Sequence, residues 1–486
     1  MSDFLAKYKI EKGPFEPTWE SLRKYQVPDW FRDAKLGIWA HWGPQSVPMF
    51  GDWYARNMYL EGERQYRHHW RVYGHPSKHG WKDVVKLWKA EKFDPQGLMK
   101  LYAAAGAKYF VAQAVHHDNF DNWDSAHNRW NATKVGPMKD IVGLWRAAAL
   151  KQGLRFGVTE HLGASFSWWR GNKGADKTGP YARVPYDGND PACRDLYHDN
   201  KGEKDGWLTD SPAWHEHWFN RIKDLVDKYQ PDLLYSDSGL PWDKVGLSIV
   251  AHLYNLSARL HGGGTQAVYT QKDRNPDVFS IGVLDIERGQ ENEAKPYVWQ
   301  TDTSVGDWFH DVGYAYKTPS HVIEMFVDMV SKNGCLLLNF SQNPDGSLDE
   351  EHMHILQVMA DWIKVNGEGI YGTRPWTVAG EGPTSLGKPG HFEEKQLPWT
   401  TADFRFTAKG KTVYAFQMRY PESRDAFIRS LAGTSGAKVA NVAVLGHSGK
   451  VVWRQMEDGL LVQLPEKKVC DLVPCIRIEL AEAQRP

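Results

Sequence analysis

An aspartate and a cluster of glutamates farther along the chain are the acidic residues that could meet at one site. Asp237 follows the largely apolar stretch 232–236 and precedes Ser and Gly. An aspartate in that position either caps a helix or takes part in chemistry. The second group, Glu287, Glu291 and Glu293, lies in an acidic stretch of a kind that is usually a solvated loop. Cleavage of a glycosidic bond requires one carboxylate that attacks the anomeric carbon and one acid that protonates the leaving oxygen. Asp237 and one of these glutamates would meet that requirement.

Histidines end three other candidate strands. His41 closes one, His116 and His117 close the next, and His161 follows Glu160 at the end of a third. Adjacent side chains on a strand point to opposite faces, but at a strand terminus both can enter one pocket. Such histidines either hydrogen-bond a substrate or complete the fold. A metal site at His116 and His117 is a further interpretation, although no additional ligand lies at a diagnostic spacing.

The elements that would carry these residues alternate along the first two thirds of the chain. Short segments that are apolar on both faces predict buried parallel strands, and amphipathic segments between them predict helices. The predicted strands are 35–43, 108–116, 155–162, 232–239, 266–273, 297–302 and 335–340. The predicted helices are 94–105, 140–152, 213–229, 247–260, 321–332 and 350–365. This alternation predicts an α/β fold with a (β/α)8-like barrel, whose active site lies at the C-terminal strand ends.

The pattern changes beyond the last of these helices. Residues 377–400 are rich in Gly, Pro and Thr and indicate a connection. Short alternating runs follow and predict a C-terminal antiparallel β-sandwich. These runs are 412–418, 439–445, 451–456, 460–464 and 475–480. We therefore expect a catalytic domain over residues 1–376 and a β-sandwich domain over residues 377–486.

Composition excludes several classes of partner. Lys and Arg total 59 and Asp and Glu total 60, which gives no electrostatic argument for a nucleic acid or an anionic membrane. No apolar run approaches the roughly 20 residues that span a bilayer. The first 15 residues lack the apolar core of a signal peptide, as expected of a cytoplasmic protein or of a periplasmic or secreted one whose leader has been removed.

Aromatic and sulfur-containing residues complete the picture. The chain has 23 Trp, 21 Tyr and 19 Phe, which suit the faces of sugar rings or the filling of a large core. Four cysteines match no zinc pattern, and the sequence leaves open whether Cys470 and Cys475 pair across a turn.

Several stretches together resemble the α-L-fucosidases of glycoside hydrolase family 29. The stretches that carry the resemblance are WFRDAKLGIWAHWGPQSVP, YFVAQAVHHDNFDNWDS, GPMKDIVG, GLRFGV, QPDLLYSDSG, VWQTDTSVGDW, FVDMVSKNGCLLLNF and WIKVNGEGIYGTRPW. They occur in family order between about residue 30 and residue 376. The C-terminal third resembles the family's sandwich in type only. The resemblance implies a barrel catalytic domain, a retaining double displacement, and no metal or organic cofactor.

The resemblance also implies roles for individual residues. Asp237 would be the nucleophile, and His41, His116 and His117 would bind fucose hydroxyls. Trp53 occupies the place of an aromatic residue in the sugar pocket. The residue before it is Asp52, where the family often has Glu, so Asp52 would contact the sugar differently or not at all.

Other roles are less closely fixed by the motifs. Glu287 is the chosen acid/base, with Glu291 and Glu293 as alternatives, because the family's acid/base loop varies widely. The stretch TEHL replaces a Tyr-rich strand end, so Glu160 or His161 would enter the site instead. Arg274 is the candidate for an arginine that steers the nucleophile. Trp308 or Phe309 would line a niche for the C5 methyl group of fucose.

These inferences predict an exo-acting enzyme on fucosylated oligosaccharides, glycoconjugates or polysaccharides. The alternatives are the same chemistry on a related sugar such as α-L-galactose, an inactive carbohydrate-binding homologue, and a metal-dependent hydrolase. The long connection 163–213 is expected to shape the side of the site that receives the leaving group. Linkage preference, sulfation of the natural glycan and assembly into a homo-oligomer are left open by the sequence.

Overall fold

A parallel β-barrel forms the first part of the molecule in the computed structural model, which describes residues 7–200 and 207–482. Its strands are β1 (Leu36–Ala40), β2 (Tyr109–Val115), β3 (Arg155–Glu160), β4 (Leu233–Ser236), β5 (Val268–Gln271), β6 (Val283–Leu284), β7 (Trp299–Ser304) and β8 (Gly334–Asn339). Their order is β6-β5-β4-β3-β2-β1-β8-β7. A bridge between Asp285 and Gln300 joins the two ends of this sheet. The predicted (β/α)8-like barrel is therefore confirmed.

Helices cover the barrel and separate most of its strands. They are α1 (Trp19–Leu22), α2 (Asp29–Ala34), α3 (Tyr54–Asn57), α4 (Arg64–Val72), α5 (Trp81–Val84), α6 (Pro95–Ala104), α7 (Ile141–Lys151), α8 (Ser165–Trp168), α9 (Arg194–Tyr197), α10 (Pro212–Tyr229), α11 (Lys244–Leu260), α12 (Pro276–Phe279), α13 (Pro319–Ser331) and α14 (Glu350–Asn366). Short 3₁₀ helices are Pro44–Ser46, Val85–Leu87, Leu162–Ala164, Trp169–Lys173, Asp187–Asn189, Pro191–Cys193, Gly367–Gly369, Arg429–Leu431 and Gly433–Ser435. Each of the six predicted long helices is present within a few residues of its expected bounds.

Local sequence explains where these helices begin. The carboxylate of Asp94 accepts a hydrogen bond from the Gly97 amide at the start of α6, and Pro95 follows as the first helical residue. Asp140 caps α7 in the same way through the Gly143 amide. These side chains satisfy amides that have no partner within the first turn of a helix.

The strands are buried because both of their faces are covered. Seven of the eight barrel strands are buried along their full length. The sequence predicted seven strands and missed β6, which has only two residues. The connection from β6 to β7, residues 285–298, contains no helix. No helix of this connection therefore packs on the barrel between β6 and β7.

Two antiparallel sheets form the C-terminal part. The strands are β9 (Arg374–Glu381), β10 (Phe404–Lys409), β11 (Thr412–Gln417), β12 (Asp425–Ile428), β13 (Val439–Val444), β14 (Val452–Gln455), β15 (Leu460–Gln463) and β16 (Cys475–Leu480). One sheet has the order β13-β16-β11-β10-β9 and the other β12-β15-β14. The predicted β-sandwich is confirmed, and all five predicted strands are present.

The expected connection over residues 377–400 is wrong at its start, because β9 continues to Glu381. The strand pairs with β10, and that pairing is long-range and leaves no local trace in a Gly- and Pro-rich stretch. The predicted domain limit after residue 376 falls inside β9 and stays a prediction.

Buried ion pairs join the sandwich to the barrel. The carboxylate of Asp328 in α13 accepts hydrogen bonds of 2.5 Å from Lys332 Nζ and from Arg405 Nε in β10. Glu324, one turn earlier, pairs with Arg419. The four cysteines are free, including Cys470 and Cys475. Within residues 7–200 and 207–482, no helix is both long and apolar enough to cross a bilayer.

Candidate active site

A cavity of about 490 Å³ opens at the C-terminal ends of the barrel strands. It brings together nine of the eleven residues that the sequence predicted for the site, namely His41, Asp52, Trp53, His116, His117, His161, Asp237, Glu287 and Trp308. Glu160 and Arg274 do not line it. The lining residues that sequence reasoning missed are Trp39, Trp207, Tyr235, Ser238, Gly239, Lys272, Asp273, Asp302 and Phe392.

Asp237 stands just after β4 among four polar contacts. Nε2 of His117 and Nδ1 of His161 lie 3.2 and 3.1 Å from its Oδ2. The Tyr235 hydroxyl donates to Oδ1 at 3.0 Å, and the Lys272 ammonium also donates to Oδ1. Burial by itself would raise the pKa of Asp237, but Lys272 and His161 outweigh it, and the pKa lies well below its ordinary value. The carboxylate is therefore held ionised.

Glu287 faces Asp237 across the ammonium group of Lys272. Lys272 Nζ donates to Glu287 Oε2 at 2.5 Å as well as to Asp237. Burial raises the pKa of Glu287 against the opposing charge of Lys272, and the carboxylates of Asp302 and Asp237 add to the rise. The pKa values of the two buried carboxyl groups are therefore shifted in opposite directions, that of Asp237 down and that of Glu287 up. Pairs of this kind are found where an acid and a nucleophile act together.

The four histidines form one continuous wall. Burial lowers the pKa of His41, His116 and His161, which favours neutral rings that each offer one donor and one acceptor. Gln45 Nε2 lies 2.6 Å from Nδ1 of His116 and orients that ring. Both ring nitrogens of His41 are buried and have no hydrogen-bond partner among the described residues. Such a wall matches the alternating donors and acceptors of sugar hydroxyls.

His116 and His117 both reach the cavity because β2 is irregular near its end. The register between β2 and β3 shifts between Gln113 and Val115. A bulge of this kind re-aims the side chains that follow it. The ligand atoms of His116, His117 and His161 lie within 4.8 Å of one another, as do those of His41, Asp52 and His116. These groups have the spacing to hold a metal ion, so the expected absence of a metal cofactor stays a prediction.

Aromatic rings enclose the rest of the cavity. Trp308 stacks on His41 with ring centroids 5.4 Å apart. Trp53 and Trp207 stack 5.9 Å apart on another wall. Phe309 packs edge-on against His41 from behind and does not line the cavity. Of the two residues expected near an apolar niche, only Trp308 borders the space.

Asp52 borders the cavity beside Trp53. Its Oδ1 lies 3.8 Å from Nε2 of His116. Burial raises its pKa well above the ordinary value, and Asp307 adds to the rise. The shift is towards the neutral form of Asp52, which can donate as well as accept a hydrogen bond.

Glu160 lies on the other side of its strand. Its Oε2 accepts hydrogen bonds of 3.0 Å from the Leu162 amide and from Nε1 of Trp218 in α10. Alternation along β3 sends His161 into the cavity and Glu160 outward to the helix layer. Of the two residues in TEHL, the structure therefore brings only His161 to the site.

Lys272, rather than Arg274, is the cation that contacts Asp237. Arg274 pairs instead with Glu291 at 3.1 Å, and its side chain is 43% exposed. Glu291 is buried away from the cavity, where Lys295 also pairs with it. Glu293 is exposed. Among the three glutamates considered for the acid/base role, only Glu287 lines the cavity.

Comparisons with known proteins agree along most of the chain. A family model described as "Alpha-L-fucosidase" matches residues 4–368, and one described as "Alpha-L-fucosidase C-terminal domain" matches residues 396–479. The tissue alpha-L-fucosidase of Rattus norvegicus is 28% identical over 467 residues, which cover 93% of this chain and 89% of that protein. The plasma alpha-L-fucosidase of Homo sapiens is 29% identical over 493 residues, which cover 95% and 90%.

Solved structures show the same architecture. The alpha-fucosidase of Thermotoga maritima in complex with fucose aligns with a TM-score of 0.72 and 23% identity, covering 96% of this chain and all of that chain. Alpha-L-fucosidase isoenzyme 1 of Paenibacillus thiaminolyticus aligns with a TM-score of 0.68 and 21% identity, covering 95% and 100%. At these identities the likeness demonstrates a shared fold.

Proposed function

The chain belongs to the α-L-fucosidase family of glycoside hydrolases, and from that premise we propose that it releases terminal α-L-fucose from glycans with retention of configuration. The observation that carries this proposal is the contact of one ammonium group, that of Lys272, with both Asp237 and Glu287. The two hydrogen bonds that this nitrogen donates are each no longer than 2.5 Å, so the nearest oxygens of the two carboxyl groups lie within about 5 Å of one another. That spacing suits a retaining site, where the carboxyl groups are about 5–5.5 Å apart, rather than an inverting site at about 6.5–9.5 Å.

The first displacement forms a covalent intermediate. Asp237 attacks the anomeric carbon of the terminal fucosyl unit while Glu287 transfers its proton to the glycosidic oxygen. The bond between the anomeric carbon and that oxygen breaks, and the rest of the glycan leaves as an alcohol. The ionised state of Asp237 and the raised pKa of Glu287 match these two roles.

The second displacement restores the enzyme. Glu287, now a carboxylate, takes a proton from water as the water oxygen attacks the anomeric carbon. The ester bond to Asp237 breaks, and α-L-fucose leaves. Two inversions at one carbon give net retention. Lys272 stabilises the carboxylate of Asp237 before the attack and again when it departs.

The histidine wall would hold the sugar between these carboxyl groups. His41, His116 and His117 are proposed to bind the fucose hydroxyls, and His161 joins them because it borders both the cavity and Asp237. Trp308 supports the proposal of an apolar surface for the C5 methyl group. An α-L-galactoside carries a hydroxyl at that methyl, so a matched pair of 4-nitrophenyl glycosides tests sugar choice.

The decisive experiment is replacement of Asp237 by Gly. We expect the rate on 4-nitrophenyl α-L-fucoside to fall on the order of 10⁴-fold or more, because no nucleophile remains. Azide should restore turnover and yield β-fucosyl azide. Circular dichroism and calorimetric titration with fucose would verify that the variant is folded and binds sugar. Near-wild-type hydrolysis by D237G, or rescue that gives only the α-azide, would refute the proposed nucleophile.

A further inference from the structure

A segment of the C-terminal part, residues 386–394, crosses back to the barrel and lies on the loop that carries Glu287. We call it the strap. The Gly390 amide donates to the Gln290 carbonyl at 2.9 Å, and the Gln290 amide lies 3.4 Å from the Gly390 carbonyl. Farther along, the Phe392 amide donates to the Glu287 carbonyl at 2.8 Å. The strap therefore pairs with the β6–β7 connection in the manner of an added strand.

His391 in the strap contacts both residues that meet at the reaction centre. Its Nδ1 accepts a hydrogen bond of 3.0 Å from the Glu287 amide. Its Nε2 lies 3.0 Å from the carbonyl oxygen of Lys272 and donates to it. Only the neutral ring with its proton on Nε2 satisfies both contacts. Burial lowers the pKa of His391, which favours that neutral ring.

Phe392, the next residue, borders the cavity with its ring in solvent. Its side chain is 68% exposed, so packing against the protein does little to explain an aromatic residue there. Its backbone φ is 59°, in the left-handed region that favours glycine. Residues held in such conformations cluster at ligand-binding and catalytic sites. An exposed ring at the mouth of a sugar-binding cavity can stack on the face of a second sugar.

We propose that the strap is part of the active site, with His391 positioning Glu287 for proton transfer and Phe392 binding the group attached to the fucose. This inference rests on the proposed function. It assigns to a segment outside the barrel two tasks, placement of the acid and recognition of the leaving group. His391 acts through the backbones of Glu287 and Lys272, so it is a positioning residue and touches no substrate.

The test of His391 uses the acidity of the leaving group. Poor leaving groups depend on protonation by Glu287, whereas nitrophenolates depart with little help. We expect His391→Ala to lower kcat/KM for a fucosyl disaccharide on the order of a hundredfold and that for 2,4-dinitrophenyl fucoside less than threefold. His391→Asn keeps an acceptor for the Glu287 amide and should restore most of the loss. His391→Gln keeps only a donor to Lys272 and should restore less.

Equal losses on both substrates, or equal rates for the Asn and Gln variants, would overturn the positioning role. If His391→Ala does not fold, which thermal unfolding of each variant would reveal, the comparison of the Asn and Gln variants still tests the positioning role. The wild-type enzyme separates the two hypotheses. If it releases no fucose from either substrate, the proposed function fails. If it releases fucose and the variants show no dependence on the leaving group, only the inference fails.

Phe392 is tested by Phe392→Gly, which suits the left-handed backbone. We expect KM for a fucosylated oligosaccharide to rise about tenfold, as loss of one stacking contact allows, with kcat little changed. KM for α-L-fucosyl fluoride, whose leaving group has no ring, should stay the same. An unchanged KM for the oligosaccharide, or an equal rise for the fluoride, would contradict the assignment.

Discussion

The two sides of the cavity are built in different ways. Asp237 is held by its own barrel, since His117, His161 and Tyr235 follow or belong to β2, β3 and β4. Glu287 sits on a connection without a helix, after a strand of two residues, and its backbone is held by a segment about a hundred positions later in the chain. The nucleophile therefore depends on the regular part of the fold, and the acid depends on a long-range tertiary contact.

After replacement of Asp237 itself, the largest expected effect lies on the acid side. Glu287→Gln should lower kcat/KM for a fucosyl disaccharide by roughly 10²–10⁴-fold, because the proton donor is lost. Wild-type activity should fall as rising pH removes the proton from Glu287, and the raised pKa places this limb above the ordinary glutamate range. With 2,4-dinitrophenyl fucoside, the variant should lack that limb.

The matched control is Glu293→Gln, which changes an exposed acid of the same connection. Its pH–rate profile should overlay that of the wild type. Retention of the basic limb in E287Q would assign the limb, and the acid role, to another group.

Replacement of Lys272 should affect both Asp237 and Glu287, because its ammonium group contacts both carboxyl groups. Lys272→Met removes the cation between the two carboxylates, and we expect kcat to fall roughly 10²–10³-fold. The pKa of Asp237 should rise without the opposing charge, so activity at acidic pH should be lost first and the acidic limb should move to higher pH. Arg274→Met is the control, because Arg274 pairs with Glu291 outside the cavity. An unmoved acidic limb in K272M would show that Lys272 does not set the charge of Asp237.

The buried ion pairs of Asp328, which join the sandwich to the barrel, offer a third test of the comparison. Asp328→Ala leaves Lys332 and Arg405 buried without their shared carboxylate, which should lower the free energy of unfolding by about 3–5 kcal/mol. Chemical denaturation would measure the loss, with exposed Asp458→Ala expected to lie within about 0.5 kcal/mol of the wild type. We expect the remaining activity of D328A to fall more for poor leaving groups than for nitrophenolates. An equal fall for both kinds of leaving group would show that the Asp328 ion pairs do not help to position the strap.

The smallest effect is expected at Glu160. Glu160→Gln keeps an acceptor for Leu162 and Trp218 and lies outside the cavity, so kcat/KM should change less than about threefold. His161→Ala, one residue later, removes a contact to Asp237 and should cost at least tenfold. Steady-state kinetics on both variants would test the alternation at the end of β3. Similar losses in the two would contradict it.

The nucleophile side was predictable because its signals are local. His41, His116, His117, His161 and Asp237 each follow an apolar segment long enough to be recognised as a buried strand. The barrel follows from the same repetition of strands and helices. A residue that directly follows a barrel strand lies at the C-terminal face of the barrel, so its position in the sequence predicts its place in the site.

The acid side left weaker signals. Arg274 was expected from the resemblance to the family, but β5 ends at Gln271 and Arg274 lies in the connection that leads to α12, where it pairs with Glu291. Strand β6 is too short for any periodicity. His391 and Phe392 lie in a stretch whose composition indicates only a connection, and their role depends on a pairing that no local pattern encodes.

The pairing of the strap with the β6–β7 connection sets a condition for engineering. Gln290 is bound through its side chain to the carbonyl of Leu386, 96 positions away in the chain. A chimera that takes residues 285–298 from a relative would lose the contact between Gln290 and Leu386. It would also lose the hydrogen bond from the Glu287 amide to His391, unless residues 386–394 came from the same donor. Recombination designed to retune leaving-group preference should therefore exchange the two stretches as one block.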